Sequence, residues 1–131
     1  MPHVLQGARF YSGRSYLNGN GNAECVEFIQ QTLDAPRTIR WREGDKVIRI
    51  PQGNADLIPT GSAIATFVDG QYPQHGSTGM HAAIYLGQSE DGIEVVDQWR
   101  GQGKVLIRTI PWKPRHSGLS NDGSEFPVIE W

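Results

Sequence analysis

The sequence predicts an α+β domain, with one amphipathic helix packed on a small antiparallel sheet. Three observations lead there. A single stretch, residues 23–35, has helical periodicity; short β-branched and apolar runs come after it; and Gly-containing turns of hairpin length separate those runs. At 131 residues and 37% hydrophobic, the chain has enough apolar surface for one core spanning 1–131 without disulfide or metal staples.

Residues up to Arg14 carry scattered apolar side chains, and the Asn18-Gly19-Asn20-Gly21-Asn22 stretch is a loop. From Ala23, Val26, Ile29, Gln30 and Leu33 fall along one helical stripe, and Cys25, Phe28, Ile29 and Thr32 along the adjoining one. Asn22 is the expected N-cap, which places Cys25 third in the helix, and Pro36 closes the segment. Lys46–Ile50 is either a short strand or an extended approach, and Trp41–Gly44 reads equally as irregular loop.

Pro59-Thr60-Gly61 is a turn into Ser62–Val68, a run of small and β-branched residues suited to a buried strand, and Asp69-Gly70 turns the chain again. A polar, Gly-rich stretch then delivers His81–Leu86, the second strand. Glu90-Asp91-Gly92 forms a hairpin to Ile93–Trp99, and Lys104–Ile110 alternates as the fourth. Residues 111–131, with prolines at 111, 114 and 127 between aromatic anchors, read as a segment that wraps the sheet or shapes a groove.

A formal charge of −2 and a pI near 6.0 leave no large cationic field for phosphate backbones, so nucleic acid is not an expected partner. The start MPHVLQGARF lacks a secretory signal pattern, and no run of about 18 apolar residues occurs. We therefore expect a soluble chain made in the cytoplasm, without membrane insertion. The single cysteine excludes an internal disulfide and leaves no thiolate partner for a Cys-rich zinc site. His75 and His116 have no identifiable co-ligands, and no cofactor is implied.

Cys25 is either a buried small hydrophobe or a reactive thiol. A helix N-terminus, with its free N–H groups and partial positive charge, stabilises the thiolate that attacks a carbonyl. Such a nucleophile needs an imidazole for proton transfer and a polar group to orient it. Among the four histidines only His81 begins an apolar strand. Asp97 interrupts the neighbouring hydrophobic run and returns toward the level of His81. Gln98 is the alternative third residue, although strand alternation points it to the opposite face. Asp97 has a plainer reading, an ion pair with Arg100 or Arg108. The four tryptophans read as packing rather than a saccharide surface, and Lys46, Arg49, Arg100 and Arg108 as solvated charge.

Tyr16-Leu-Asn-Gly19 followed by Asn22-Ala-Glu-Cys25-Val-Glu-Phe28, the segment Leu57–Ile64, and Gly79-Met-His81-Ala-Ala-Ile-Tyr-Leu-Gly87 together resemble the NlpC/P60 and CHAP group of papain-like peptidoglycan hydrolases. The departures are Val26-Glu27, where that group usually has small residues, and Asp-Gln-Trp at the third position. The resemblance implies a papain-like fold and cleavage of peptidoglycan stem or cross-bridge peptides through an acyl-thioester. In it Cys25 attacks, His81 shuttles the proton, Asp97 orients His81, and Tyr16 lends a hydroxyl to the oxyanion or positions substrate. The chain also resembles antibacterial amidase effectors that a secretion machine delivers to a rival's periplasm, nearest to the BPSL0067-type branch. That resemblance brings a cognate immunity protein as a candidate partner. Two rivals stay open: a thioesterase or acyltransferase, which commonly runs His before Cys, and a non-catalytic peptide- or wall-binding module.

Overall fold

A computed structural model describes residues 2–51, 54–74, 79–112 and 118–131. His75, His116 and Pro114 lie outside the described residues. Among the described residues are one α-helix, α1 (Cys25–Leu33), and six strands, β1 (Arg42–Lys46), β2 (Ala63–Ala65), β3 (Ala82–Gln88), β4 (Gly92–Asp97), β5 (Leu106–Pro111) and β6 (Pro127–Glu130). The strands form one antiparallel sheet in the order β1-β6-β2-β3-β4-β5.

Alternation along each strand sorts the core into two faces. Ala63, Ala65, Ala82, Ile84, Leu86, Val96 and Ile129 share one cluster with Phe28 and Ile29 of α1. Ile64, Ala83, Tyr85, Ile93, Val95, Ile110 and Val128 share the other with Val47, Ile58, Trp112 and Phe126. Phe28 and Ile29 are fully buried against β3, and each contributes about 1.5–3 kcal/mol of transfer free energy. That packing fixes the start of α1 relative to the start of β3.

The helix begins at Cys25 with Glu24 as N-cap, two residues later than the sequence suggests. The Asn22 backbone is already committed. Its N–H donates to Asn18 Oδ1 (3.0 Å) and its carbonyl accepts from the Asn18 N–H (2.9 Å), which closes the 18–22 loop on itself. The helix ends where Asp34 takes a left-handed conformation at φ 52° ahead of Pro36.

The first strand falls on Arg42–Lys46, overlapping the stretch read as loop, and residues 47–50 are not strand. Its sequence is polar because β1 is an exposed edge, and Gly44 permits the pairing, since a Cβ there would sit 2.8 Å from the Val128 carbonyl. Beyond it, the backbone at 48–50 is held by a side chain: Gln88 donates to Ile48 O and accepts from the Ile50 N–H. The Ser62–Val68 strand shrinks to Ala63–Ala65. At Asp69-Gly70 the chain doubles back, with Val68 and Gln71 exchanging backbone hydrogen bonds of 2.8 and 3.1 Å. The end of the C-terminal segment does not wrap the sheet, because β6 is inserted inside it between β1 and β2.

Candidate active site

The site forms where the first turn of α1 meets the start of β3. Cys25 is the first helical residue, so its N–H has no intrahelical acceptor and sits at the positive end of the helix. The thiol is half-buried and lies close enough to the imidazole of His81 for each group to shift the other's pKa; His81 immediately precedes β3 and is 5% exposed. On the other side of the ring, His81 Nε2 lies 2.6 Å from Asp97 Oδ2 at the end of β4. With Nε2 taken by the carboxylate, Nδ1 is the nitrogen left for the sulfur.

The β3–β4 register pairs Ile84 with Val96 and Tyr85 with Val95. One further step sets Asp97 opposite Ala83, diagonal to His81 and within reach of its ring. Asp97 is fully buried, and burial alone pushes its carboxyl up. The His81 hydrogen bond and charge, together with Arg108, hold it below the usual carboxylate range instead.

Burial also lowers the pKa of His81, but hydrogen bonds and charge from Asp97 and Cys25 outweigh it and push the group up to about 9. Burial raises the Cys25 pKa. The His81 hydrogen bond and charge, with smaller contributions from the Tyr72 hydroxyl and the Ala82 backbone, carry the thiol below its ordinary value. A lowered thiol beside a raised imidazole favours the thiolate–imidazolium pair.

Gln98 projects the other way, toward α1. Its Oε1 accepts from the Tyr16 N–H (3.1 Å), and its Nε2 donates to Tyr16 O (2.7 Å) and Glu24 O (2.8 Å). It thereby ties the irregular segment at Tyr16 to Glu24, the residue that caps the helix. The ring of Tyr16 packs with Phe28 and Tyr11 at centroid distances of 5.4 and 6.4 Å. Cys25, His81 and Asp97 are thus brought together, while Gln98 and Tyr16 support the peptide segment beside them.

Two residues that sequence reasoning left out of the site stand in it. The Tyr72 hydroxyl lies 3.7 Å from the Cys25 sulfur. Burial, and then the charge of Cys25, push its pKa well above the phenol range, so it stays a protonated donor. The Asp69-Gly70 reversal is what returns Tyr72 to the sulfur, and an aromatic two residues after such a turn was the available signal. Arg108 on β5 contacts both Asp97 oxygens. It shares a strand face with buried Ile110, as Asp97 does with Val95, and a charge on each of two adjacent apolar faces marks such a pair. Among the described residues, no cluster of three or more His, Cys, Asp and Glu is arranged to hold a metal ion.

A family model described as domesticated amidase effector 2 matches residues 4–129. A Salmonella typhi protein named type VI secretion amidase effector 2 is 41% identical over 143 residues, covering 99% of this chain and 100% of its own. An Ixodes scapularis protein named domesticated amidase effector 2 is 34% identical over 115 residues, covering 82% of this chain and 74% of its own. A solved structure of a type 6 secretion amidase effector 2 superposes with a TM-score of 0.80 at 33% identity, covering 99% of this chain and 95% of that one.

Proposed function

Because this chain belongs to the domesticated amidase effector 2 family, we propose that it is a cysteine amidase that hydrolyses amide bonds in the peptides of peptidoglycan. One observation carries the chemistry: a thiol that opens a helix, its pKa lowered by a buried imidazole whose Nε2 lies 2.6 Å from a buried carboxylate. We assign the helix and sheet to the papain-like NlpC/P60 arrangement, in which the Cys helix precedes the His strand.

In this reading the Cys25 thiolate attacks the carbonyl carbon, forming a C–S bond and an oxyanion. The Cys25 N–H and the Tyr72 hydroxyl are the donors placed to stabilise that oxyanion. His81 gives its Nδ1 proton to the departing amine as the C–N bond breaks. It then takes a proton from water, which attacks the thioester to release the acid and restore the thiol. Asp97 keeps Nε2–H oriented and stabilises the imidazolium. The aromatic hydroxyl at the sulfur is that of Tyr72, and Tyr16 packs its ring on Phe28.

We extend the reading to delivery by a specialised secretion system into another cell's periplasm, with a cognate immunity protein as partner. The Salmonella typhi relative, named for type VI secretion, aligns over its whole length. The reaction is tested by incubating purified muropeptides with the protein and weighing the products. Amide hydrolysis adds one water per cut, creates a new amine and leaves the sugars joined. Unchanged muropeptides together with hydrolysis of a thioester probe would instead identify a thioesterase. Retention of intact muropeptides without cleavage would identify a binding module.

A further inference from the structure

Arg108 does more than balance a surface charge. Its Nε lies 3.2 Å from Asp97 Oδ1 and 3.0 Å from Oδ2, and its Nη2 lies 2.9 Å from Oδ2. The same Nη2 is 3.3 Å from His81 Nε2. The guanidinium carbon stands 4.6 Å from the centre of the Trp99 ring, and that ring meets His81 edge-on at 6.3 Å. Arg108 is therefore held between an aromatic face and a carboxylate, with 31% of its side chain exposed while Asp97 has none.

The geometry at Asp97 is asymmetric. Oδ2 accepts from both His81 and Arg108, whereas Oδ1 accepts from Arg108. A carboxylate held by one imidazole alone can rotate about its final torsion and lose the line to Nε2. A planar guanidinium on both oxygens fixes the carboxylate plane and keeps a counter-charge beside a buried anion. The two side chains are placed by pairing alone, since β4–β5 register sets Arg108 opposite Val95 and so diagonal to Asp97.

We propose that Arg108 is a positioning residue of the amidase site, acting through Asp97: it locks the carboxylate so that His81 presents Nδ1 to Cys25, and Trp99 covers the guanidinium that does so. The proposal rests on the cysteine amidase reading above. It predicts that Arg108 matters to turnover only while Asp97 is a carboxylate, which separates it from a residue that merely supports the fold or binds substrate.

The test is a double-mutant cycle on amine release from muropeptides, using Arg108→Gln, Asp97→Asn and the pair together, with thermal unfolding of each. Arg108→Gln is expected to lower kcat about tenfold or more while KM stays within about twofold. In the Asp97→Asn background the same change is expected to cost less than about twofold. Arg108→Lys, which keeps the charge but not the fork, is expected to recover only part of kcat, and it replaces Arg108→Gln should that variant not fold. Three results would overturn the proposal: wild-type kcat in the Arg108 variants, a loss confined to KM, or a full multiplicative loss on top of Asp97→Asn. Cys25→Ala is assayed alongside. If it keeps wild-type turnover, the cysteine reading itself fails; if it is inactive while the Arg108 variants are normal, the Arg108 proposal alone fails.

Discussion

Replacing Asp97 with Asn removes one charge from the buried row and changes almost no volume. Asp97 Oδ2 sits 2.6 Å from His81 Nε2, and the imidazole is raised from 6.5 to about 9 by Asp97 and Cys25 against the pull of burial. A hydrogen bond to a charged group contributes about 1.5–3 kcal/mol, and one pKa unit is about 1.4 kcal/mol. Loss of the Asp97 charge is therefore worth about one to two pH units on His81. The sign follows from which form the anion favours. Asp97 stabilises the imidazolium, so without it His81 loses its proton at lower pH. In the proposed mechanism the imidazolium protonates the leaving amine, so the alkaline limb of kcat/KM is expected to mark its loss. In the wild type that limb should fall near pH 9, and in Asp97→Asn about one to two units lower. The assay is kcat/KM for amine release across the pH range, with thermal unfolding to show that the variant is folded. An alkaline limb that stays in place in folded Asp97→Asn would refute the assignment of Asp97 to His81.

Tyr72→Phe removes the hydroxyl 3.7 Å from the sulfur; amine release should fall by about a hundredfold, and iodoacetamide labelling of Cys25 should need higher pH than in the wild type. Gln98→Ala deletes a buried side chain that serves three backbone groups, and should destabilise the fold by about 2–4 kcal/mol in denaturant unfolding. Phe28→Ala opens a cavity under α1 and should cost about 3–5 kcal/mol in the same measurement. Asp97, whose pKa is lowered on folding, contributes stability that is present above the ordinary carboxylate value and is lost as pH falls through its folded value. The stability of the wild type should therefore drop in acid more steeply than that of Asp97→Asn.

What was legible in the sequence was local. The helical stripe through Phe28 and Ile29, the turns at Asp69-Gly70 and Glu90-Asp91-Gly92, and the order of Cys25 before His81 are all patterns within short windows. Asp97 was readable because strand alternation and a short hairpin fix where it returns, and the same alternation separates it from Gln98. The rest depended on contacts between distant residues. Asn22 is a good cap by type, but Asn18 holds its backbone, and nothing in the window 22–25 reports that competition. β1 is polar because it lies at an edge, and its partner is more than 80 residues away in β6. The insertion of β6 between β1 and β2 is a long-range pairing that periodicity does not encode. Tyr72 was passed over because its surroundings are polar and Gly-rich, although the turn ahead of it reverses the chain toward Cys25. Arg108 was read as an alternative explanation of Asp97, whereas the geometry lets Asp97 meet both His81 and Arg108 at once.

The central claim is that Cys25, activated by His81, cuts an amide in peptidoglycan peptides. The most direct measurement is the rate of new-amine release from purified muropeptides by the wild type, Cys25→Ala and His81→Ala, each verified as folded. Steady release by the wild type is expected, with a loss of about a thousandfold or more in both variants. Release by folded Cys25→Ala at the wild-type rate would contradict the claim.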